Sequence, residues 1–252
     1  MEQLSWNYRN KKLDLFGNHS YLNQTTRAQS ELTQYINSDT LWQQVIEQLG
    51  FYKNIKLTNS LGVNYLLDKN NQIGLKYTII TQPDIRNKGT LQSDILANGV
   101  SFDNLISDNR ETISSVPVHQ INTYYKGSIG KVSLDVEADY LYNKRNEYAT
   151  YNEQSAYQES RLVNSYSRTR NELFASKFVL GFKAGATEIS LGAEFTSTTR
   201  YDMYDNTEGY IDASNNEIKE RHISPFAYLS SQLSFGQLTV GLRYEHVWSD
   251  YR

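Results

Sequence analysis

The chain contains no cysteine. Disulfide scaffolds, thiol nucleophiles and thiolate metal sites are therefore excluded. It has no excess of positive charge either. The net charge is -3 and the sequence pI about 5.9, which disfavours a surface built for phosphate or nucleic acid. Apolar residues are scarce: 38% of 252 residues, a figure that already includes 20 tyrosines, against roughly 45–50% in ordinary globular domains. Such a chain struggles to fill a dry interior. No apolar run approaches the roughly 18 residues of a transmembrane helix. The first residues, Met1-Glu2-Gln3-Leu4-Ser5-Trp6, lack a basic region followed by an apolar stretch, so no secretory leader is expected there. Glycine-rich phosphate loops, serine-nucleophile elbows and paired zinc motifs are also missing.

What is present is alternation. In the run from Val132 to Tyr142, one face carries Val132, Leu134, Val136, Ala138, Tyr140 and Tyr142. Ser133, Asp135, Glu137 and Asp139 occupy the other. Side chains of a strand alternate with period two, so this is a two-faced strand. Its length matches the roughly 9–11 residues of a tilted strand that crosses a bilayer. The apolar face ends in tyrosines, whose apolar rings and polar tips suit a membrane–water boundary. An acidic opposite face suits a wet lumen. A barrel wall needs apolar residues on one face only, and only across the hydrocarbon band, which resolves the apolar deficit.

The pattern recurs. Leu75 and Tyr77, Leu191 and Phe195, and Leu242 and Tyr244 are expected to face the membrane with Val132, Leu134, Val136, Tyr140 and Tyr142. Lys76, Glu194 and Arg243 are expected to face the lumen with Asp135, Glu137 and Asp139. Short turns rich in Asn, Asp and Gly fall near Asn10-Lys11, Asp68-Lys69-Asn70-Asn71, Ser128-Ile129-Gly130, Ala184-Gly185-Ala186 and Phe235-Gly236-Gln237. These residues supply the backbone angles of tight hairpins. About ten strands in up-and-down order follow. Residues 172–182 form a strand whose faces are hard to assign. Pro225 marks a strand end. Residues 82–112, 143–165 and 201–221 read as long polar connections, into which some strands continue. Short turns at one end and long loops at the other is the asymmetry of outer-membrane barrels. Residues 38–49, with Trp42, Val45, Ile46 and Leu49 at helical spacing, predict a short loop helix. Gly62, Gly74, Gly181, Gly192 and Gly241 lie inside strands and mark bends or close packing.

Little chemistry is visible. His19, His119, His222 and His246 are widely separated and form no close zinc-type pair, so neither a metal nor a cofactor is expected. Asp135, Glu137 and Asp139 project from one strand face without a closed pocket, so a solvated lumen face outweighs acid–base catalysis. Asp202, Asp205, Asn206, Glu208 and Gly209 make an acidic loop without the spacing of a calcium loop. Tyr201, Tyr204 and Tyr210 are the candidate ligand-gripping residues of that loop, against ordinary loop packing. No catalytic residue is expected. A soluble, secreted all-β glycan-binding module is the alternative, since a sandwich also alternates. Its strands average only about 5–6 residues. An outer-membrane lipase or protease would need a Ser–His or Asp–His pair at the rim, which no spacing supports.

Residues 4–18 (LSWNYRNKKLDLFGN) and 238–245 (LTVGLRYE), with the strand–turn–strand unit of residues 171–198, resemble hairpins of the TonB-dependent receptor barrels common in Bacteroidetes. The likeness is nearest to their outer membrane protein beta-barrel branch. This resemblance implies a barrel of about 22 strands around an N-terminal plug. It also implies import of a bulky ligand: an iron chelate, a vitamin, an oligosaccharide or a peptide. TonB would act through a segment preceding the plug. On that basis residues 1–252 are expected to be a partial outer-membrane β-barrel domain, without signal peptide, plug or terminal strands. Its expected partners are outer-membrane lipid and the parent protein's remaining strands and plug, with no nucleic acid.

Overall fold

A computed structural model describes all 252 residues, Met1–Arg252. Every regular element is a strand, as the alternation requires. The strands are β1 (Glu2–Asn10), β2 (Leu13–Asn37), β3 (Leu41–Leu66), β4 (Gln72–Ala97), β5 (Val100–Ile129), β6 (Val132–Ser155), β7 (Arg161–Ala184), β8 (Thr187–Asn206), β9 (Ser214–Leu233), β10 (Gly236–Arg243) and β11 (His246–Tyr251). They form one antiparallel up-and-down sheet in the order β1 to β10, with β11 also on β9. The outer sides of β1 and of the β10–β11 line are free.

All five expected short turns are present. Asp68 shapes one of them by accepting the backbone N–H of Asn70 at 2.7 Å, and Gly130 and Gly185 take positive φ in two others. The long polar connections are largely strand, which corrects the sequence reading. β4 and β5 run through residues 82–112 and meet at a turn where Asn98 and Gly99 have positive φ. β6 and β7 leave only residues 156–160 between them, and β8 and β9 only 207–213. The expected loop helix is also absent: residues 38–40 are a turn and β3 starts at Leu41. Val45, Ile46 and Leu49 pair with Asp94, Ser93 and Thr90 of β4. A short amphipathic pattern gains no helix when both neighbouring strands offer continuous ladders.

Prolines punctuate the sheet. Register shifts occur opposite Gln82-Pro83, between Ile55 and Leu57 of β3, and around Pro117, between Val116 and His119 of β5. Proline has no N–H for the ladder, so an irregularity there is expected. Pro225 is not the strand end expected of it: it lies inside β9 and interrupts the partner line instead. β10 ends at Arg243 opposite Phe226, β11 begins at His246 opposite Ile223, and the carbonyl of Pro225 accepts the Tyr244 N–H between them. β10 and β11 are thus one strand line broken at a missing donor.

The register also fixes the tilt. One pairing line runs through Asn10, Leu13, Tyr65, Ile73, Tyr125, Val136, Phe178, Ala193 and Pro225. Asn10 ends β1 on that line, whereas β9 continues beyond it from Pro225 to Leu233. With the short turns at one level, the stagger between the first and last hairpins is about one residue per strand. About 3.4 Å of rise against about 4.8 Å of strand spacing gives a tilt of roughly 35°. Closed membrane barrels tilt by roughly 35–45°.

Candidate functional site

The register places all the apolar positions expected on one face together. Tyr140 of β6 pairs with Ile121, and Ile121 with Tyr77 of β4; Ala138 connects through Thr123 to Leu75. Leu134 pairs with Leu180, and Leu180 with Leu191 of β8; Leu191 connects through Ala227 to Leu242 of β10. Val132, Val136, Tyr142 and Phe195 fall on the same face by alternation, and Tyr244 stands at the break beyond Leu242. Nothing covers this face. Leu75 is 47% exposed, Leu191 46% and Leu242 77%. No second layer presses these side chains into a dry centre, as a sandwich would require. A shallow apolar trough of about 610 Å³, lined in part by Leu13, Val63, Leu75, Val136 and Ala138, runs across the face.

β7 completes the band with Phe174, Phe178, Leu180 and Phe182, paired with Tyr140, Val136, Leu134 and Val132. Sequence reading missed these residues because Leu173, Ala175 and Val179 lie on the opposite face and blur the alternation. Only their cross-strand partners assign them. From Val132 to Tyr142 the band stands about 27 Å tall at the derived tilt. The apolar band of outer-membrane barrels is about 25 Å tall.

The opposite face carries Asp135, Glu137, Asp139, Lys76, Glu194 and Arg243 together. Asp139 pairs with Asn122 and Asn122 with Lys76, while Glu137 pairs with Lys177 and Lys177 with Glu194. The acids are not a free cluster. Lys126 contacts Asp135 at 3.3 Å and Glu137 at 3.1 Å, and the Asn122 amide donates to Asp139 at 2.7 Å. Arg243 bridges Glu194 at 2.8 Å and Glu245 at 2.7 Å. Exposed pairs of this kind contribute about 0–1 kcal/mol each, so they balance charge more than they hold the sheet. Packing on this face pairs strand glycines with cross-strand aromatic rings: Gly62 with Phe16, Gly74 with Tyr124, Gly192 with Phe226 and Gly241 with Tyr228. A Cβ at these glycines would collide with the ring, so the close packing expected there is met by aromatic cover of a bare backbone.

A serine–histidine contact exists, Ser224 Oγ to His222 Nε2 at 2.9 Å. Ser224 has no exposed surface, so its hydroxyl reaches no substrate.

The candidate ligand loop does not converge. Tyr201 and Tyr204 are in β8, on opposite faces, against Arg170 and Ser167. Tyr210 alone is in the β8–β9 turn, with the Arg161 guanidinium 5.5 Å from its ring centre. That turn is pinned. The carboxylate of Glu208 accepts the backbone N–H and the side-chain amide of Asn164, each at 2.7 Å. These bonds, the backbone one foremost, hold the Glu208 carboxyl below its ordinary pKa.

No family model and no curated protein matches the chain. Among solved structures, the ferric citrate transporter FecA in its unliganded form aligns with 95% of this chain and 40% of its own, at 11% identity and a TM-score of 0.46. BauA, the ferric preacinetobactin receptor from Acinetobacter baumannii, aligns with 99% of this chain and 56% of its own, at 8% identity and a TM-score of 0.35. The chain therefore spans about half or less of the length of these structures. Likeness at this level carries no weight beside the geometry of the sheet.

Proposed function

We propose that this chain is a section of the wall of a bacterial outer-membrane barrel, a receptor or transporter of the TonB-dependent kind. One observation carries the reading: a single tilted sheet exposes an apolar band about as tall as a hydrocarbon core, while its other face is charged and self-paired. In this reading Val136, Leu191 and Leu242 touch lipid and Glu137, Glu194 and Arg243 line water. The free edges of β1 and β10 meet further strands, because unpaired N–H and C=O groups cannot remain in lipid. The residues resembling receptor hairpins give the rest: a bulky imported ligand, a plug in the lumen, and TonB acting outside this chain. No catalytic role is assigned. The strands that rise beyond the band would form the outer mouth.

Because the chain has no native cysteine, single cysteines at Val136, Leu191, Glu137 and Glu194 can each carry one fluorophore. With the chain inside its closed parent barrel in phosphatidylcholine bilayers, lipid-borne quenchers should darken labels at 136 and 191 and spare those at 137 and 194. Equal quenching at all four would refute the face assignment and the membrane reading with it.

A further inference from the structure

We infer that Lys144 and Arg170, with Arg168 beside them, form a binding site for the phosphate ester of a lipid headgroup, just beyond the apolar band and on its face. The inference rests on the membrane reading above. Lys144 lies two residues past Tyr142, where the apolar run ends, and pairs directly with Arg170 of β7. Like charges directly opposite in an antiparallel pair are unfavourable unless an anion lies between them.

A second cation pair on the same face shows how the sheet settles such a conflict. Lys53 is registered with Arg86, and Asp84 contacts both at 2.7 Å. Lys144 and Arg170 have no such carboxylate. Glu172 approaches Arg170 only to 3.6 Å, Lys144 joins no ion pair, and the buried Nε of Arg170 has no hydrogen-bond partner. One register step further along β7, Arg168 is steadied by Tyr166 and Asn146, whose oxygens accept its Nε–H at 3.0 and 3.2 Å. Its terminal N–H groups remain free to donate. Two guanidinium groups and an ammonium, half-buried and offset only by the single carboxylate of Glu172, match the charge and donor geometry of a phosphate. Their height places them where headgroups lie, and cations there attract anionic lipid. The net charge of -3 conceals this site because the acids are concentrated elsewhere.

The test uses the whole chain in micelles of a maltoside detergent, which contains no phosphate. Short-chain phosphatidic acid, short-chain phosphatidylcholine and inorganic phosphate are titrated separately, with calorimetric readout. Phosphatidic acid should bind at least about tenfold more tightly than phosphatidylcholine. The K144Q/R170Q variant should lose that preference, K144R/R170K should keep it, and K177Q, on the opposite face, should leave it unchanged. Equal affinity for the two lipids overturns the site. So does a K144Q/R170Q variant, folded by circular dichroism, that keeps the preference. Displacement by millimolar inorganic phosphate would assign the cations to a free anion and overturn the lipid assignment. The label quenching described above is done in neutral lipid and does not depend on these cations. Quenching at 136 without a phosphatidic acid preference removes this site alone, while absence of quenching removes both proposals.

Discussion

Replacing Val136 with arginine is the sharpest perturbation of the exposed apolar band and of its proposed contact with lipid. Val136 lies four residues from Val132, the first residue of β6. At the derived tilt it stands about 11 Å above the short turn, close to the middle of a band about 27 Å tall. Its neighbours across the ladders are Tyr125 and Phe178, so no acid is at hand to receive a guanidinium. Arginine at the midplane of a lipid face costs roughly 2–4 kcal/mol, which lowers the folded-to-unfolded ratio by roughly 30- to 900-fold. The neighbouring Glu137→Ala removes only one exposed partner of Lys126, and Asp135 remains, so the cost is about 0–1 kcal/mol. Urea titration of the parent barrel's folding into phosphatidylcholine vesicles, followed by tryptophan fluorescence, measures both. A Val136→Arg variant that folds as well as Glu137→Ala would refute the assignment of lipid and water faces. Reversed costs would show that the faces are exchanged.

Three further outcomes are expected. Gly192→Ala should lower stability by about 1–3 kcal/mol, because its Cβ meets both the Phe226 ring and the carbonyl oxygen of Phe178, and a backbone oxygen cannot swing away; an unchanged urea midpoint would show that the ring cover is incidental. The Glu208 carboxyl sits below its ordinary pKa in the folded chain, so its support of the β8–β9 turn is full above the ordinary carboxylate range and lost as pH falls through the lowered value; hydrogen exchange at the Asn164 amide should therefore stay protected at neutral pH and lose protection in acid, and Glu208→Ala should lose it at every pH. Without detergent or lipid the chain should aggregate through its exposed band and the free edges of β1 and β10; a monodisperse species in plain buffer with a cooperative melt would contradict both features.

The stretches legible in the sequence are those where only one face is apolar. From Val132 to Tyr142 and from Ile189 to Phe195, alternation is a local property of the chain and declares strand and faces together. The short turns were equally readable, because Asn, Asp and Gly act within a few residues. β7 was harder, since apolar residues on both faces erase the period. Beyond the band both faces carry polar residues, so residues 82–112 show no alternation and read as loop, although continuous ladders hold them as strand. The candidate ligand tyrosines failed for the same reason: Tyr201 and Tyr204 looked like neighbours in a loop, and a strand sends them to opposite faces.

Sequence by itself thus determined which side chains share a face, because that depends on a period of two along one chain. Which strands lie side by side, and at what stagger, depends on pairing between residues as far apart in sequence as Trp42 and Ala97, and only the tertiary structure decided it. The tilt, the ring cover on the glycines and the meeting of Lys144 with Arg170 all follow from that pairing.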